Sequence, residues 1–227
     1  LSRDNVMESI KDKIKIAQSK IQASKTGKNV KLVAVSKKKS WQEVHEAYEN
    51  GICDFGENYL QESLEKISKL KDLKINWHFI GKIQSNKCEE IAKNFNWVHT
   101  IDRLKIARLI DKYCPENKII KCLIQINIDN EDSKSGIRLS EVESFLNELS
   151  DLKKIMVCGL MIIPNPNVEL SDLQKTFRKI KMLSNRLIKN YENLTELSMG
   201  MSRDFELAIK EGSTIVRLGE TIFGARN

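Results

Sequence analysis

The chain has 227 residues, 41% of them hydrophobic and 30% charged, which is the make-up of a globular protein able to bury a full core. Its formal charge of +7 favours anionic ligands, phosphorylated ones included. The lysines are interleaved with carboxylates, and no RRM, helix-turn-helix or zinc-finger pattern accompanies them, so specific nucleic-acid binding is not expected.

Residues 2–24 carry Val6, Ile10, Ile14, Ala17 and Ile21 at helical spacing, which predicts an amphipathic leading helix. Strand-like runs then recur at 30–36, 52–55, 75–80, 96–101, 118–128, 155–162, 194–198 and 214–218. Helical patterns at about 40–50, 58–71, 84–94, 102–113, 139–150, 169–191 and 203–211 separate them, and Ser40, Asp102 and Ser140 stand as capping residues. Several strands, Cys122-Leu123-Ile124-Gln125-Ile126 among them, are apolar almost throughout, as parallel strands covered on both faces should be. Eight strands alternating with helices predict a single-domain (β/α)8 TIM barrel over 1–227 with an extra N-terminal helix. A doubly wound open sheet is the structural alternative.

Cys53, Cys88, Cys114, Cys122 and Cys158 are odd in number, lack CxxC spacing and fall mostly in apolar runs, so they read as reduced thiols. His45, His78 and His99 form no HExxH or HxH pair, and no metal site is expected. There is no leader-like N-terminus and no run of about 18 apolar residues, so the expected location is cytoplasmic, away from membranes.

In such barrels chemistry sits at the C-terminal ends of the strands, and the loops after the seventh and eighth strands often hold phosphate. Lys37 ends the first strand, Leu32-Val33-Ala34-Val35-Ser36, where a Schiff-base lysine would sit. Lys37-Lys38-Lys39 could equally be a solvated charge run, and strand parity does not choose between Lys37 and Lys38. After the seventh strand, Ser198-Met199-Gly200-Met201-Ser202 leads into a helix near Arg203. That is either an anion cradle or a glycine turn with Ser202 as cap. After the eighth, Arg217-Leu218-Gly219 offers a guanidinium that faces the barrel mouth or solvent, and a residue without a side chain. A ligand with an aldehyde, a phosphate and a ring nitrogen would use all three groups, and pyridoxal 5′-phosphate (PLP) is such a ligand.

The motifs AVSK at 34–37, FGENY at 55–59, WHFIG at 77–81, QSNK at 84–87, HTIDR at 99–103, SKSG at 133–136, GLMIIP at 159–164, LSMGMSRD at 197–204 and VRLGETIFGAR at 216–226 resemble the pyridoxal-phosphate homeostasis protein family. These are one-barrel relatives of the alanine racemase N-terminal domain, and the resemblance covers residues 30–226. It implies fold-type III PLP binding with Lys37 as the aldimine lysine and Asn58 beside the cofactor ring. It further implies His78 at the rim, Ser198, Gly200 and Ser202 with Gly219 as the phosphate clamp, and Arg217 as partner of the pyridine nitrogen.

An arginine in that place only donates, so the ring nitrogen stays unprotonated and the ring is a weak electron sink. Glu220 departs from the family's small or hydroxyl residue: either its side chain points away or the clamp is weakened. The racemase relatives take a second base from another domain, and here Tyr59 and His78 are the candidates. The resemblance therefore implies intracellular PLP homeostasis by a monomer that holds the cofactor and delivers it, with PLP-dependent apo-enzymes as partners and little or no turnover. A single-domain PLP-dependent amino-acid racemase is the alternative, and a barrel binding another phosphorylated metabolite is a third reading.

Overall fold

The computed structural model of the chain describes residues 8–27, 29–131 and 133–225. The start of the expected leading helix, with Val6, and the last residues of the final motif, with Arg226, lie outside the described residues. Helix α1 (Ile10–Ser24) opens on Ser9, whose hydroxyl accepts from the Asp12 N–H while the Asp12 carboxylate accepts from the Ser9 backbone, a reciprocal cap. It buries Ile14, Ala17 and Ile21 and packs on the outside of the barrel.

The barrel begins with β1 (Lys31–Val35), α2 (Trp41–Glu49), β2 (Asp54–Glu57), α3 (Leu60–Lys69), β3 (Asn76–Phe79), α4 (Cys88–Asn94) and β4 (Trp97–Ile101). It continues through α5 (Leu104–Tyr113), β5 (Ile120–Ile126), α6 (Val142–Leu149), β6 (Ile155–Ile162) and α7 (Leu170–Leu187). It ends with β7 (Glu196–Ser198), α8 (Phe205–Lys210), β8 (Ile215–Leu218) and α9 (Glu220–Phe223). All eight strands pair in parallel and in chain order, and β8 returns to β1 with Val33 opposite Arg217, closing the barrel. The expected (β/α)8 architecture is therefore the one observed, and the open-sheet alternative falls.

Boundaries differ where polar residues carry structure. The second strand was expected at 52–55 but runs two residues further, because Gly56 pairs with His78 and Glu57 with Phe79 instead of starting a turn. Asp102 does not cap α5. Its carboxylate accepts from the Gly136 N–H at 3.1 Å and so ties the β4–α5 loop to the loop after β5. Ser140 lies inside a short 3₁₀ turn, Leu139–Glu141, whereas Ser40 caps α2 as expected. The segment after β8 turns once as α9 and buries Ile222 and Phe223.

Two apolar cores follow from closure. The larger lies between strands and helices. The smaller, Val33, Trp97, Leu123, Cys158, Met161 and Ile215, comes from strands alone and fills the barrel.

Candidate functional site

The C-terminal ends of β1, β6, β7 and β8 surround a cavity of about 380 Å³. Lys37, Ser202, Arg217 and Gly219 line it, together with Asp204, Arg203, Lys39 and Glu220 and an apolar side built from Pro164, Val168 and Leu173. Four cationic side chains face two carboxylates there, a surplus that suits an anion with two charges. The size lies within the range of small-molecule sites. A larger cavity of about 610 Å³ opens at the other end of the barrel, beside α1, and is lined by Lys31, Asp54, Glu196 and Thr214. It holds none of the expected site residues.

Lys37 and Lys38 lie in different surroundings. Lys37 is half-buried on the cavity wall. Lys38 is exposed, takes a left-handed backbone (φ +61°) and donates its N–H to Glu62 Oε1 at 2.5 Å. Beneath this segment lies a buried ion cluster. Lys66 Nζ donates to the Ser36 carbonyl at 2.6 Å, to Glu57 Oε1 at 2.7 Å and to Glu62 Oε1 at 2.6 Å, and the Ser36 hydroxyl donates to Glu57 Oε1 at 2.6 Å. All three ammonium donors are satisfied, and the residue directly before Lys37 is clamped. Burial pushes the Glu57 carboxyl above its usual range against the pull of Lys66.

Asn58 follows β2 but does not line the cavity, and its Oδ1 is buried without a hydrogen-bond partner among the described residues. Its backbone is held by close approach of Gly81, where a Cβ would meet the Asn58 carbonyl oxygen at 2.2 Å. Gly200 needs its glycine on two counts: φ is +101°, and a Cβ would meet that of Ala208 at 2.7 Å. This turn lets Met201–Asp204 curl over the cavity, closed by the Met201 N–H donating to Asp204 Oδ1 at 2.7 Å. Ser202 Oγ accepts from the Thr221 N–H at 3.4 Å and links the loops after β7 and β8. Glu220 is exposed at the cavity edge, at the first turn of α9.

Ser198 and His78 are placed elsewhere than expected. Both are fully buried and neither lines the cavity. The Ser198 hydroxyl meets Arg217 Nη1 at 2.5 Å and His99 Nδ1 at 2.9 Å. His78 lies inside the barrel because its strand parity turns it inward, beside Gly56, below the rim. Its Nδ1 meets His99 Nε2 at 2.8 Å, its Nε2 meets Asp54 Oδ1 at 2.9 Å, and its ring stacks on Trp97. With both ring nitrogens engaged, His78 is removed from the candidates for a second base. Tyr59, the other candidate, is 50% exposed and does not line the cavity.

Arg217 also donates from Nη2 to the Ile162 carbonyl at 2.9 Å, which leaves the remaining guanidinium N–H groups to meet a ligand. Burial lowers its pKa to about 10, with Asp204 opposing. It remains a cation and a donor. Asp54, His99, Glu57, Lys66 and Asp204 were missed as contributors, although polar residues inside apolar strands, as in WHFIG and HTIDR, are the signal for two of the contacts.

Burial holds His99 well below the usual imidazole range, helped by His78 and Arg217. It holds His78 below that range too, despite Asp54 and with Lys31 and Lys121 assisting. Both rings are neutral in the folded chain, while an unfolded chain protonates them near pH 6.5. Stability should therefore fall as pH drops below about 6.5, and fall again in alkali, where burial keeps Cys88, Cys114, Cys122 and Cys158 as thiols while an unfolded chain ionises them near pH 8.5. The acid-side slope is bounded by two protons, about 2.7 kcal/mol per pH unit, with His99 the larger contributor. Urea unfolding across this range should show a clearly shallower slope in His99→Gln.

The model of the alanine racemase N-terminal domain matches residues 7–227. The pyridoxal phosphate homeostasis protein of Haemophilus influenzae is 42% identical, over 96% of each chain. That of Escherichia coli K12 is 41% identical, over 96% of this chain and 94% of its own. Among solved structures, PipY of Synechococcus elongatus PCC7942 without PLP superposes with a TM-score of 0.88 at 33% identity, over 95% of this chain and all of its own. The same protein was solved with PLP bound (TM-score 0.85). Alanine racemase from Clostridium difficile in complex with cycloserine shares the barrel alone, at a TM-score of 0.76 and 14% identity, with 60% of its length covered.

Proposed function

The chain belongs to the pyridoxal phosphate homeostasis protein family, and from that premise we propose that it binds PLP in the 380 Å³ cavity and serves intracellular vitamin B6 homeostasis. The observation that carries this reading is the convergence of Lys37, Arg217, Ser202 and Gly219, from three separate loops, on one cationic cavity. The relatives' names and the PLP-bound PipY structure support the choice of ligand.

When bound, the cofactor supplies an aldehyde for amine capture and a ring that draws electrons from it. Lys37 would supply the amine that captures this aldehyde. The glycine turn at Gly200 and the hydroxyl of Ser202 set the loop that receives the phosphate, and Gly219 opens α9 beside it. Arg217 would partner the ring nitrogen and, as a group that only donates, would favour its unprotonated form, and Asn58 would stand beside the ring. Ser198 and His78 act from within the barrel, through Arg217.

Holding and delivering the cofactor fits this set better than turnover, because neither Tyr59 nor His78, the two candidates for a second base, lines the cavity. Cytoplasmic residence fits five unpaired thiols. Among the described residues no helix is long and apolar enough to cross a membrane.

Adding PLP to the purified chain should produce a visible absorption band. Incubating the loaded protein with L-alanine in deuterated water should give no α-hydrogen exchange at enzyme-like rates. No band would sink the binding reading, and rapid exchange lost in Lys37→Ala would establish the racemase instead.

A further inference from the structure

Arg217, Ser198, His99, His78 and Asp54 form an unbroken row of hydrogen bonds contributed by five strands, at 2.5, 2.9, 2.8 and 2.9 Å in that order. The row starts at the wall of the 380 Å³ cavity and ends at Asp54, which lines the cavity at the opposite end of the barrel. Its direction follows from the chemistry of its ends. A guanidinium only donates and a carboxylate only accepts. With two neutral imidazoles between them, each ring has one donor and one acceptor nitrogen. His78 Nε2–H must therefore donate to Asp54, His99 Nε2–H to His78 Nδ1, and the Ser198 hydroxyl to His99 Nδ1, while Ser198 Oγ accepts from Arg217. Every group is satisfied in one arrangement only, and reversing any link would leave Arg217 or Asp54 facing a like group.

The arrangement matters because Arg217 is almost wholly buried and, among the described residues, has no carboxylate in hydrogen-bonding contact. Asp204 acts on it electrostatically from the cavity wall. Asp54 reaches it only through polarised bonds. It is itself partly compensated by Lys31, 3.5 Å away and beside Trp97.

We propose that Asp54 is the remote counter-ion of Arg217 and that His78, His99 and Ser198 are positioning residues, which transmit its charge along one fixed donor direction and lock the guanidinium toward the ligand cavity. The consequence for the cofactor rests on the reading of Arg217 as the ring partner. It assigns Ser198 to the guanidinium and leaves phosphate contact to Ser202 and the loop after β8.

The test begins with the full chain free of cofactor, labelled with ¹⁵N in its histidine rings and arginine side chains. NMR should place the proton of both His78 and His99 on Nε2 and find both Nδ1 atoms bare. Arg217→Met should move the His78 Nε2–H resonance, although the two side chains do not touch, and Asp54→Asn should move the Arg217 guanidinium signals. Both transmitted shifts should disappear in a His99→Phe background that keeps the native amide fingerprint. A proton on His99 Nδ1, or a His78 resonance indifferent to Arg217→Met, would overturn the proposal. His99→Gln is a second variant in case His99→Phe does not fold: it can still accept from Ser198 and donate to His78, and should retain transmission. In the PLP-loaded protein, His99→Phe should weaken retention about tenfold and His99→Gln much less. Wild-type protein that takes up no PLP would refute the functional reading while leaving the NMR result intact.

Discussion

Lys37→Ala is expected to abolish the covalent PLP adduct trapped by borohydride, read as the disappearance of the modified peptide by mass spectrometry. Lys38→Ala should leave the adduct in place. The contrast follows from their surroundings: Lys37 faces the cavity that holds Arg217 and Ser202, while Lys38 points to solvent from a left-handed residue fixed to Glu62. Reversible binding should survive in Lys37→Ala, since the loops proposed to hold the phosphate and the guanidinium are untouched. Ser202→Ala combined with Gly219→Asp should instead weaken retention altogether, because it removes the hydroxyl linking the two loops and introduces a carboxylate beside the anion. An adduct that persists in Lys37→Ala and vanishes in Lys38→Ala would reverse the assignment.

Lys66→Met should lower the unfolding free energy by about 3–5 kcal/mol, as expected when one partner of a buried ion pair is deleted. Glu57 is fully buried and Lys66 nearly so. Truncation leaves the carboxylate to be neutralised and strands the Ser36 carbonyl. Urea unfolding should show a lower midpoint with an unchanged slope. The same variant should form the Lys37 adduct more slowly, since Ser36 directly precedes that lysine and loses its clamp. Adding Glu57→Gln should recover much of the stability, because the uncompensated charge is gone, yet adduct formation should stay slow. A loss below about 1 kcal/mol would mean the cluster contributes no more than an exposed pair.

The alternation of apolar strands with amphipathic helices made the barrel legible, and with it the convergence of residues 37, 202, 217 and 219. Those positions lie in the last residues of a strand or just after it, and a parallel barrel gathers these ends at one face. The interior polar row was not legible. Parity shows that His78 and His99 can face inward, but which inward groups meet depends on the register accumulated around eight strands, and His99 lies 99 residues from Ser198. Asp54 was passed over as a residue of a strand thought to end at Phe55. The strand in fact extends through Gly56, where a glycine normally signals a turn. Lys66 gave no signal because a lysine on a helix is ordinarily solvated. Only the packing of α3 beneath the β1 loop turns it inward.

The proposed role in holding and delivering PLP requires that the site also release it. The loops after β7 and β8 are joined by one long hydrogen bond, Ser202 Oγ to the Thr221 N–H at 3.4 Å, near the outer limit for such a contact. Rotating one serine side chain unlatches the two loops, while every strand keeps its neighbours. On the proposed reading, the mouth of the cavity can then open without any change in the barrel itself.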